Sequence, residues 1–266
     1  MRETAHAGTI IARGDPLIRI ASVSKSFRLR RQVVHALRDV SFSIMCGEYL
    51  SIMGPSGSGK STLFNMIGAL DTPSGGTVHI GPLNLATLSS RQLAWVRSNY
   101  IGYVFQSYNL VPSLTALKNV ALASIFNGND TLRADALARE CLERVGLAER
   151  LSHRPDEMSG GQQQRVAVAR ALVNSPAVIL ADEPTANLDY KTGGDIIALL
   201  KQLSERDGVT VIAATHDHKM LSTSTRILWI RDGMVERIGN RADVAIDEGG
   251  LDSTHSSAGS LRELLS

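Results

Sequence analysis

The stretch Gly54-Pro55-Ser56-Gly57-Ser58-Gly59-Lys60-Ser61-Thr62 follows a short apolar run, Tyr49 to Met53, and precedes an apolar-periodic one, Ser61 to Leu70. Its spacing is G-x-x-x-x-G-K-[ST], set between a buried strand and a helix, as a phosphate-binding loop requires. Glycines let the backbone curl so that successive N–H groups point inward at phosphate oxygens. The helix that starts near Ser61 adds unpaired donors and the positive end of its dipole. Lys60 offers a point charge to the β- and γ-phosphates, and the Ser61 hydroxyl a ligand to Mg²⁺. The ligand implied is a nucleoside triphosphate with Mg²⁺.

Such a cation needs an anionic anchor, and an attacking water needs a base. Val178-Ile179-Leu180-Ala181-Asp182-Glu183 provides both at the end of an apolar strand. Asp182 is placed to hold the metal, directly or through its water, and Glu183 to take the proton of the nucleophilic water.

Further strands are expected over Leu17 to Phe27, Val33 to Ile44, Ile101 to Phe105, Ala177 to Ala181 and Val209 to Ala214. A hairpin is expected over Ile227 to Ile238, turning on Asp232-Gly233. Between Thr115 and Leu151 the period is helical. Leu132, Leu137, Cys141, Leu142 and Val145 fall on one face, and Gly146 stands at the C-terminal end. Helices are also expected over Gln162 to Val173 and Ile196 to Leu203. Apolar strands alternating with helices on both sides of a helix-only block from about 113 to 158 argue an α/β parallel sheet with an inserted helical lobe, plus antiparallel additions at each end. Met1 to Pro16 reads as a loose tail. The chain beyond Asn240 reads as a second one, in which Leu261 to Leu265 could form a helical turn.

The chain of 266 residues is 43% apolar and 20% charged, which suits an ordinary globular core and excludes collagen-like, mucin-like and wholly disordered classes. A net charge of +2 does not advertise a nucleic-acid surface. Cys46 and Cys141 have neither the spacing of a zinc site nor that of a disulfide scaffold, and read as reduced thiols. Nothing approaches the ~18 consecutive apolar residues of a membrane span, and the N-terminus lacks the apolar block of a signal peptide. The expectation is a protein that stays inside the cell and reaches any membrane through a partner.

Met158-Ser159-Gly160-Gly161-Gln162-Gln163-Gln164-Arg165 resembles the signature peptide of ATP-binding cassette (ABC) ATPases, with Met158 where the family usually has Leu. Other motifs then fall into that family's order. Gln106 resembles the Q-loop glutamine, Asn187-Leu188-Asp189 the D-loop, and Thr215-His216-Asp217 the switch histidine segment. Phe27 lies where the family stacks an aromatic under adenine; the other reading is a core phenylalanine. The resemblance spans roughly Leu17 to Ile238. It implies a P-loop NTPase fold with a RecA-like, mainly parallel core, an N-terminal antiparallel β-subdomain and an inserted α-helical subdomain. The implied division is a tail over 1–16, an ATPase domain over 17–239 with its helical part at about 107–160, and a tail over 240–266.

The resemblance also implies roles. Ser159, Gly160, Gly161 and Gln162 would bind the γ-phosphate held by the Lys60 loop of a second copy, so two chains would sandwich two ATP molecules head to tail. Asp189 would contact the opposite phosphate loop, His216 would donate to the γ-phosphate, and Gln106 would touch Mg²⁺ or the attacking water. His218 and the basic run Arg28, Arg30, Arg31 keep plain structural or solvated readings.

The stretch from Ser107 to Val120 is similar to the lipoprotein-release and macrolide-export subclass (LolD- and MacB-like), although Lys118 stands where an acidic residue is usual. That similarity implies separate integral membrane permease subunits, a position at the cytoplasmic face of the inner membrane, and export or force transmission acting on a lipoprotein, a macrolide or another amphiphile. Tyr108, Leu110, Val111 and Leu114 are either permease contacts or packing of the lobe. Two alternatives share the chemistry: a cell-division-type cassette that gates an extracellular hydrolase through its permease, and a non-transport cassette acting on DNA or ribosomes. The interval from Lys60 to Ser159 holds no heptad array, and the chain holds one cassette, which favours neither non-transport form.

Overall fold

The computed structural model describes residues 5–6, 9–10, 12–29 and 32–243. Arg30, Arg31 and everything from Val244 onward, including the Leu261 to Leu265 turn, lie outside the described residues. A two-residue antiparallel pair, β1 (Ala5–His6) with β2 (Thr9–Ile10), occurs in the stretch read as a tail; it is too short to leave a periodic trace in the sequence.

The remaining strands form two sheets. Antiparallel β3 (Pro16–Leu29) and β4 (Gln32–Met45) are joined on the other edge of β3 by β6 (Gly75–Ile80) and then β7 (Leu83–Asn84). The larger sheet contains β5 (Tyr49–Met53), β8 (Ile101–Val104), β9 (Val178–Asp182), β10 (Thr210–Ala214), β11 (Arg226–Arg231) and β12 (Met234–Asn240), in the spatial order β12-β11-β5-β10-β9-β8. All neighbours in it are parallel except the β11–β12 hairpin. That hairpin turns on Asp232 (φ 49°) and Gly233 (φ 77°), both left-handed as its tight turn demands.

The central strands read as unbroken apolar runs because both faces are covered. Tyr49, Ile179, Ala181, Val211 and Ala213 face α3 (Ala116–Phe126), α4 (Thr131–Arg144), α5 (Gly160–Leu172) and α6 (Tyr190–Glu205). Leu50, Ile52, Val178, Leu180, Ile212 and Ala214 face the other way, onto α1 (Lys60–Ile67) and the antiparallel sheet.

Besides β1, β2 and the two-residue β7, the sequence does not announce β6, α2 (Ser90–Tyr100) or α7 (His218–Thr223). Strand β6 opens on Gly75-Gly76, which follow Asp71-Thr72-Pro73-Ser74 and read as part of a turn. A legible sign of α2 is Ser89, which caps it reciprocally with Gln92. The 115–151 block divides at Asn127-Gly128-Asn129-Asp130, where Gly128 is left-handed (φ 97°) and Asp130 caps α4. Leu132 does not share the buried face assigned to it. It sits in the first turn of α4 and is 85% exposed, whereas Cys141, Leu142 and Val145 are buried.

A buried ion pair ties the β4–β5 turn to β11: Arg226 donates to Glu48 at 3.1 Å and to the Ser43 carbonyl at 3.2 Å. Burial pushes the Glu48 carboxyl above its ordinary range, opposed by the Met45 N–H and the Arg226 guanidinium. Removing one member of such a pair strands the other, so Glu48→Ala is expected to cost about 3 kcal/mol. A thermal melt should register this as a drop of roughly 6–12 °C.

Candidate functional site

Because β5, β8, β9 and β10 are parallel and adjacent, the residues that follow them emerge along one edge of the sheet, the usual place for a ligand crevice in open α/β folds. The phosphate loop follows β5, Gln106 lies two residues beyond β8, Asp182 ends β9 with Glu183 next, and Thr215-His216 follows β10. The register sets Ile52, Ala214 and Asp182 level with one another across the three central strands.

The loop is braced from outside. Gly233 of the β11–β12 turn donates its N–H to the Ser58 carbonyl at 2.9 Å, and the Gly233 carbonyl accepts from the Arg38 N–H of β4 at 2.8 Å. Gly59 is left-handed (φ 106°), and a Cβ there would stand 2.6 Å from the Ala36 carbonyl oxygen. Backbone approach that close admits only glycine. Lys60 is 9% exposed and folds its ammonium back onto the loop, donating to the carbonyls of Gly54 at 2.6 Å and Pro55 at 2.9 Å. Pro55, Ser56, Gly57 and Ser61 are exposed, Thr62 is half-buried, and the buried Ser58 hydroxyl makes no hydrogen bond.

Burial lowers the Lys60 pKa, and the Glu183 and Asp182 carboxylates raise it in opposition. Burial lifts the Asp182 pKa, Glu183 beside it lifts it further, and Lys60 pulls it down. The three groups therefore feel one another directly. Ser61 and Asp182 line a common cavity with Phe64, Asn65, Tyr103 and Phe105. Glu183 takes a left-handed backbone conformation (φ 44°), with its N–H held by the Ala214 carbonyl at 2.9 Å. Strained backbone of this kind persists where the surroundings over-determine it. Glu183 Oε1 lies 3.2 Å from His216 Nε2, which donates to it in the tautomer carrying a proton there.

A second group of residues stands apart. Ser159 caps α5, accepting from the Gln162 N–H while the Gln162 side chain accepts from the Ser159 N–H. A Cβ on Gly161 would collide with the Thr192 methyl, and one on Gly160 would come 2.9 Å from the Tyr108 hydroxyl. Asp189 caps α6, accepting from the N–H groups of Lys191 and Thr192 at 3.1 Å, and those bonds hold its carboxyl below the ordinary range. Among the described residues, no hydrogen bond or ion pair joins 158–163 to the phosphate loop.

A family profile described as "ABC transporter" matches residues 37–186. The chain belongs to the ABC transporter ATP-binding family. The cassette is 47% identical, over 83% of its length and 96% of the relative's, to an uncharacterized ABC transporter ATP-binding protein, MJ0796, of Methanocaldococcus jannaschii. It is 40% identical to the lipoprotein-releasing system ATP-binding protein LolD of Shewanella frigidimarina, over 87% of its own length and 97% of that protein's. It is 47% identical to the macrolide export ATP-binding/permease protein MacB of Nitrobacter winogradskyi, covering 83% of its own length but 34% of that protein's. A solved dimeric structure of MJ0796, in a post-hydrolysis state bound to ADP and Pi, superposes with a TM-score of 0.78 at 45% identity, covering 84% of the cassette and 98% of that chain.

Phe27 is not a core residue of the cassette. It is 39% exposed, pairs across strands with Val34 (43% exposed), and has the Lys25 ammonium 5.1 Å from its ring centroid. Two residues further along β4, Ala36 abuts Gly59, so this apolar end of β3–β4 lies beside the phosphate loop. The segment after Gln106 is held from behind. Arg170 donates to the carbonyls of Tyr108 and Asn109, both in left-handed conformation. The buried Asn119 accepts from the Val111 N–H at 2.7 Å and donates to the carbonyls of Val111, Leu114 and Thr115. Leu110 packs against the core while Val111 is 39% exposed, so these two readings divide residue by residue. Lys118, where the subclass is usually acidic, pairs with Asp135 at 2.7 Å. The clasps made by Asn119 and Arg170 were not readable from the sequence, since nothing in their spacing names a backbone partner.

Proposed function

We propose that residues 17–239 form the ATPase unit, with its helical part at about 107–160, and that two copies close head to tail on two ATP molecules. Each copy would offer its Lys60 loop to one nucleotide and its Ser159–Gly161 turn and Asp189 to the other. The observation that carries this reading is the split itself. Loop, carboxylates and histidine share one sheet edge, while the signature group makes no bond to them.

In the closed site the loop N–H groups and Lys60 hold the β- and γ-phosphates, and Phe27 with Val34 flanks the adenine. Glu183 takes a proton from the water that attacks the γ-phosphorus; the bond to the bridging oxygen breaks and ADP leaves with that electron pair. His216, bonded to Glu183 before closure, aims the base and in the closed site gives the same Nε2–H to the γ-phosphate, leaving Glu183 free to take the proton of the water. The residues present fit Mg²⁺: an exposed hydroxyl on Ser61, a carboxylate on Asp182 in the same cavity, and Gln106 at the neighbouring strand end. When bound, Mg²⁺ would neutralise phosphate charge as the γ-phosphate is transferred.

None of the described helices is long and apolar enough to cross a membrane. The cassette is read as peripheral to the cytoplasmic face of the inner membrane, driving separate permease subunits that export, or transmit force to, a lipoprotein, macrolide or other amphiphile. The names of its relatives support this subclass. The permease would dock on the segment that Asn119 pins. Asn119→Ala removes a buried acceptor and a buried donor, and is expected to cost about 2–3 kcal/mol and to abolish permease co-purification. Retention of the permease by a folded Asn119→Ala protein would move the docking surface elsewhere.

The deciding experiment is a pull-down with tagged Glu183→Gln protein and ATP from detergent-solubilised membranes of the source organism, read by mass spectrometry. Recovery of a membrane protein with a few spans and a large outer domain is expected. Ribosomes or DNA-bound proteins, with no membrane protein, would overturn the transporter reading.

A further inference from the structure

The loop from Glu183 to Tyr190 touches both neighbouring motifs of its own chain. Asn187 Nδ2 donates to the Gln106 carbonyl at 3.0 Å. On the other side Glu183 meets His216 at 3.2 Å, and Thr185 Oγ1 donates to Asp217 Oδ2 at 3.2 Å. Lys219 Nζ donates to the Tyr190 carbonyl at 3.1 Å, and the same ammonium lies over the Tyr190 ring. Asp217 in turn accepts from the Lys219 N–H at 2.9 Å, so the 216–219 segment holds its own shape while it holds the loop. Behind the loop, Asp189 caps α6 and Gly161 packs on Thr192.

We infer that Asn187 and Lys219 are positioning residues that fasten the Asp189 loop to the backbone of Gln106 and to the segment carrying His216, so that closure against a second copy sets both catalytic groups at once. The inference rests on the head-to-tail reading above, in which Asp189 meets the partner. Tyr190, next in sequence, is 83% exposed, so the tie from Lys219 reaches the outermost part of the loop. The ties are one exposed hydrogen bond from Asn187 and two exposed contacts from Lys219, strong enough to pass on a displacement yet breakable at each turnover. Charge matters on one side only. Lys219 acts through an ammonium over an aromatic ring and a carbonyl, whereas Asn187 acts through one neutral N–H.

The test compares Asn187→Leu, which is close in size and loses the donor without adding charge, Lys219→Met, which keeps the stem but loses the charge, and Lys219→Arg, which keeps cation and donors. Each is made in the Glu183 chain for steady-state kinetics and in the Glu183→Gln chain for ATP-dependent dimerisation by size exclusion. Asn187→Leu and Lys219→Met are expected to lower kcat three- to tenfold with KM for ATP within twofold. Their melting temperatures and their dimers in the Glu183→Gln chain should be retained, and Lys219→Arg should recover kcat. Unchanged kcat, or a loss that tracks a fall in melting temperature, would overturn the inference. Failure of Glu183→Gln alone to dimerise would remove the head-to-tail reading and the inference with it, whereas dimers with unchanged kcat would remove the inference alone.

Discussion

Glu183→Gln is expected to lower ATP turnover by about 10²- to 10⁴-fold, the contribution of a positioned general base, while nucleotide affinity stays within a few-fold of the parent. The amide is isosteric, can still accept from His216 Nε2 and keeps the left-handed backbone at residue 183, so the geometry around it survives. What it loses is basicity and one negative charge. The charge loss works in favour of binding, because the Glu183 carboxylate pushes Asp182 up and would repel the γ-phosphate. A site that binds but does not hydrolyse should accumulate the closed state, visible as an ATP-dependent shift from monomer to dimer in size exclusion. Single-turnover release of phosphate separates this from a defect in product release. Undiminished hydrolysis would take Glu183 out of the base role and leave His216 as the group to test next.

The sequence made much of the sheet legible because each central strand carries its own boundary signal. Val178–Asp182 ends in a carboxylate with another next to it, Tyr49–Met53 is followed by glycine, and Ile227 to Ile238 contains Asp-Gly. The parity of those runs, odd residues toward the helices and even ones toward the antiparallel sheet, was hidden because both faces are apolar. Strand β6 is hidden for the opposite reason, since it opens on two glycines, of which Gly75 pairs with Ser24 of β3 and Gly76 falls at a register shift. Helix α6 begins two turns before the expected Ile196, and its cap, Asp189, had been read only for its place in a motif. One side chain does both jobs. Phe27 shows where local pattern is silent, since an aromatic at a strand end looks alike in a core or on a surface until the sheet's exposed edge is known.

Contacts that depend on remote backbone were out of reach altogether. Nothing near Gly233 announces that its N–H will hold the Ser58 carbonyl, nor does Asn187 advertise the Gln106 carbonyl. Spacing reports which groups share an element. It does not report which carbonyl a side chain will find across the sheet edge. That is why the individual motifs could be read in order while the ties between them could not.

Lys60 carries the second large effect, and the substitution must be chosen with its surroundings in view. Lys60→Ala would remove the ammonium, with the two bonds it makes to Gly54 and Pro55, and the buried stem as well, so a loss of binding would have two causes. Lys60→Met keeps the buried stem and removes only the ammonium. Charge-assisted hydrogen bonds to phosphate are worth about 1.5–3 kcal/mol each, so loss of the ammonium is expected to weaken nucleotide binding by roughly 10²-fold. The nucleotide-free protein should melt within a few degrees of the parent, because the loss of the bonds to Gly54 and Pro55 is offset by relief from burying the charge. Ligand linkage then makes a sharp comparison. At a nucleotide concentration of about 100 times the parent's Kd, the parent gains about 2.7 kcal/mol, while a variant sitting near its own Kd gains about 0.4 kcal/mol. At roughly 2–4 °C per kcal/mol for a domain of this size, the ATP-induced rise in melting temperature should fall from about 5–10 °C to about 1 °C. A variant that keeps the full rise would show that the nucleotide does not depend on this ammonium, and the assignment of the loop would fall with it.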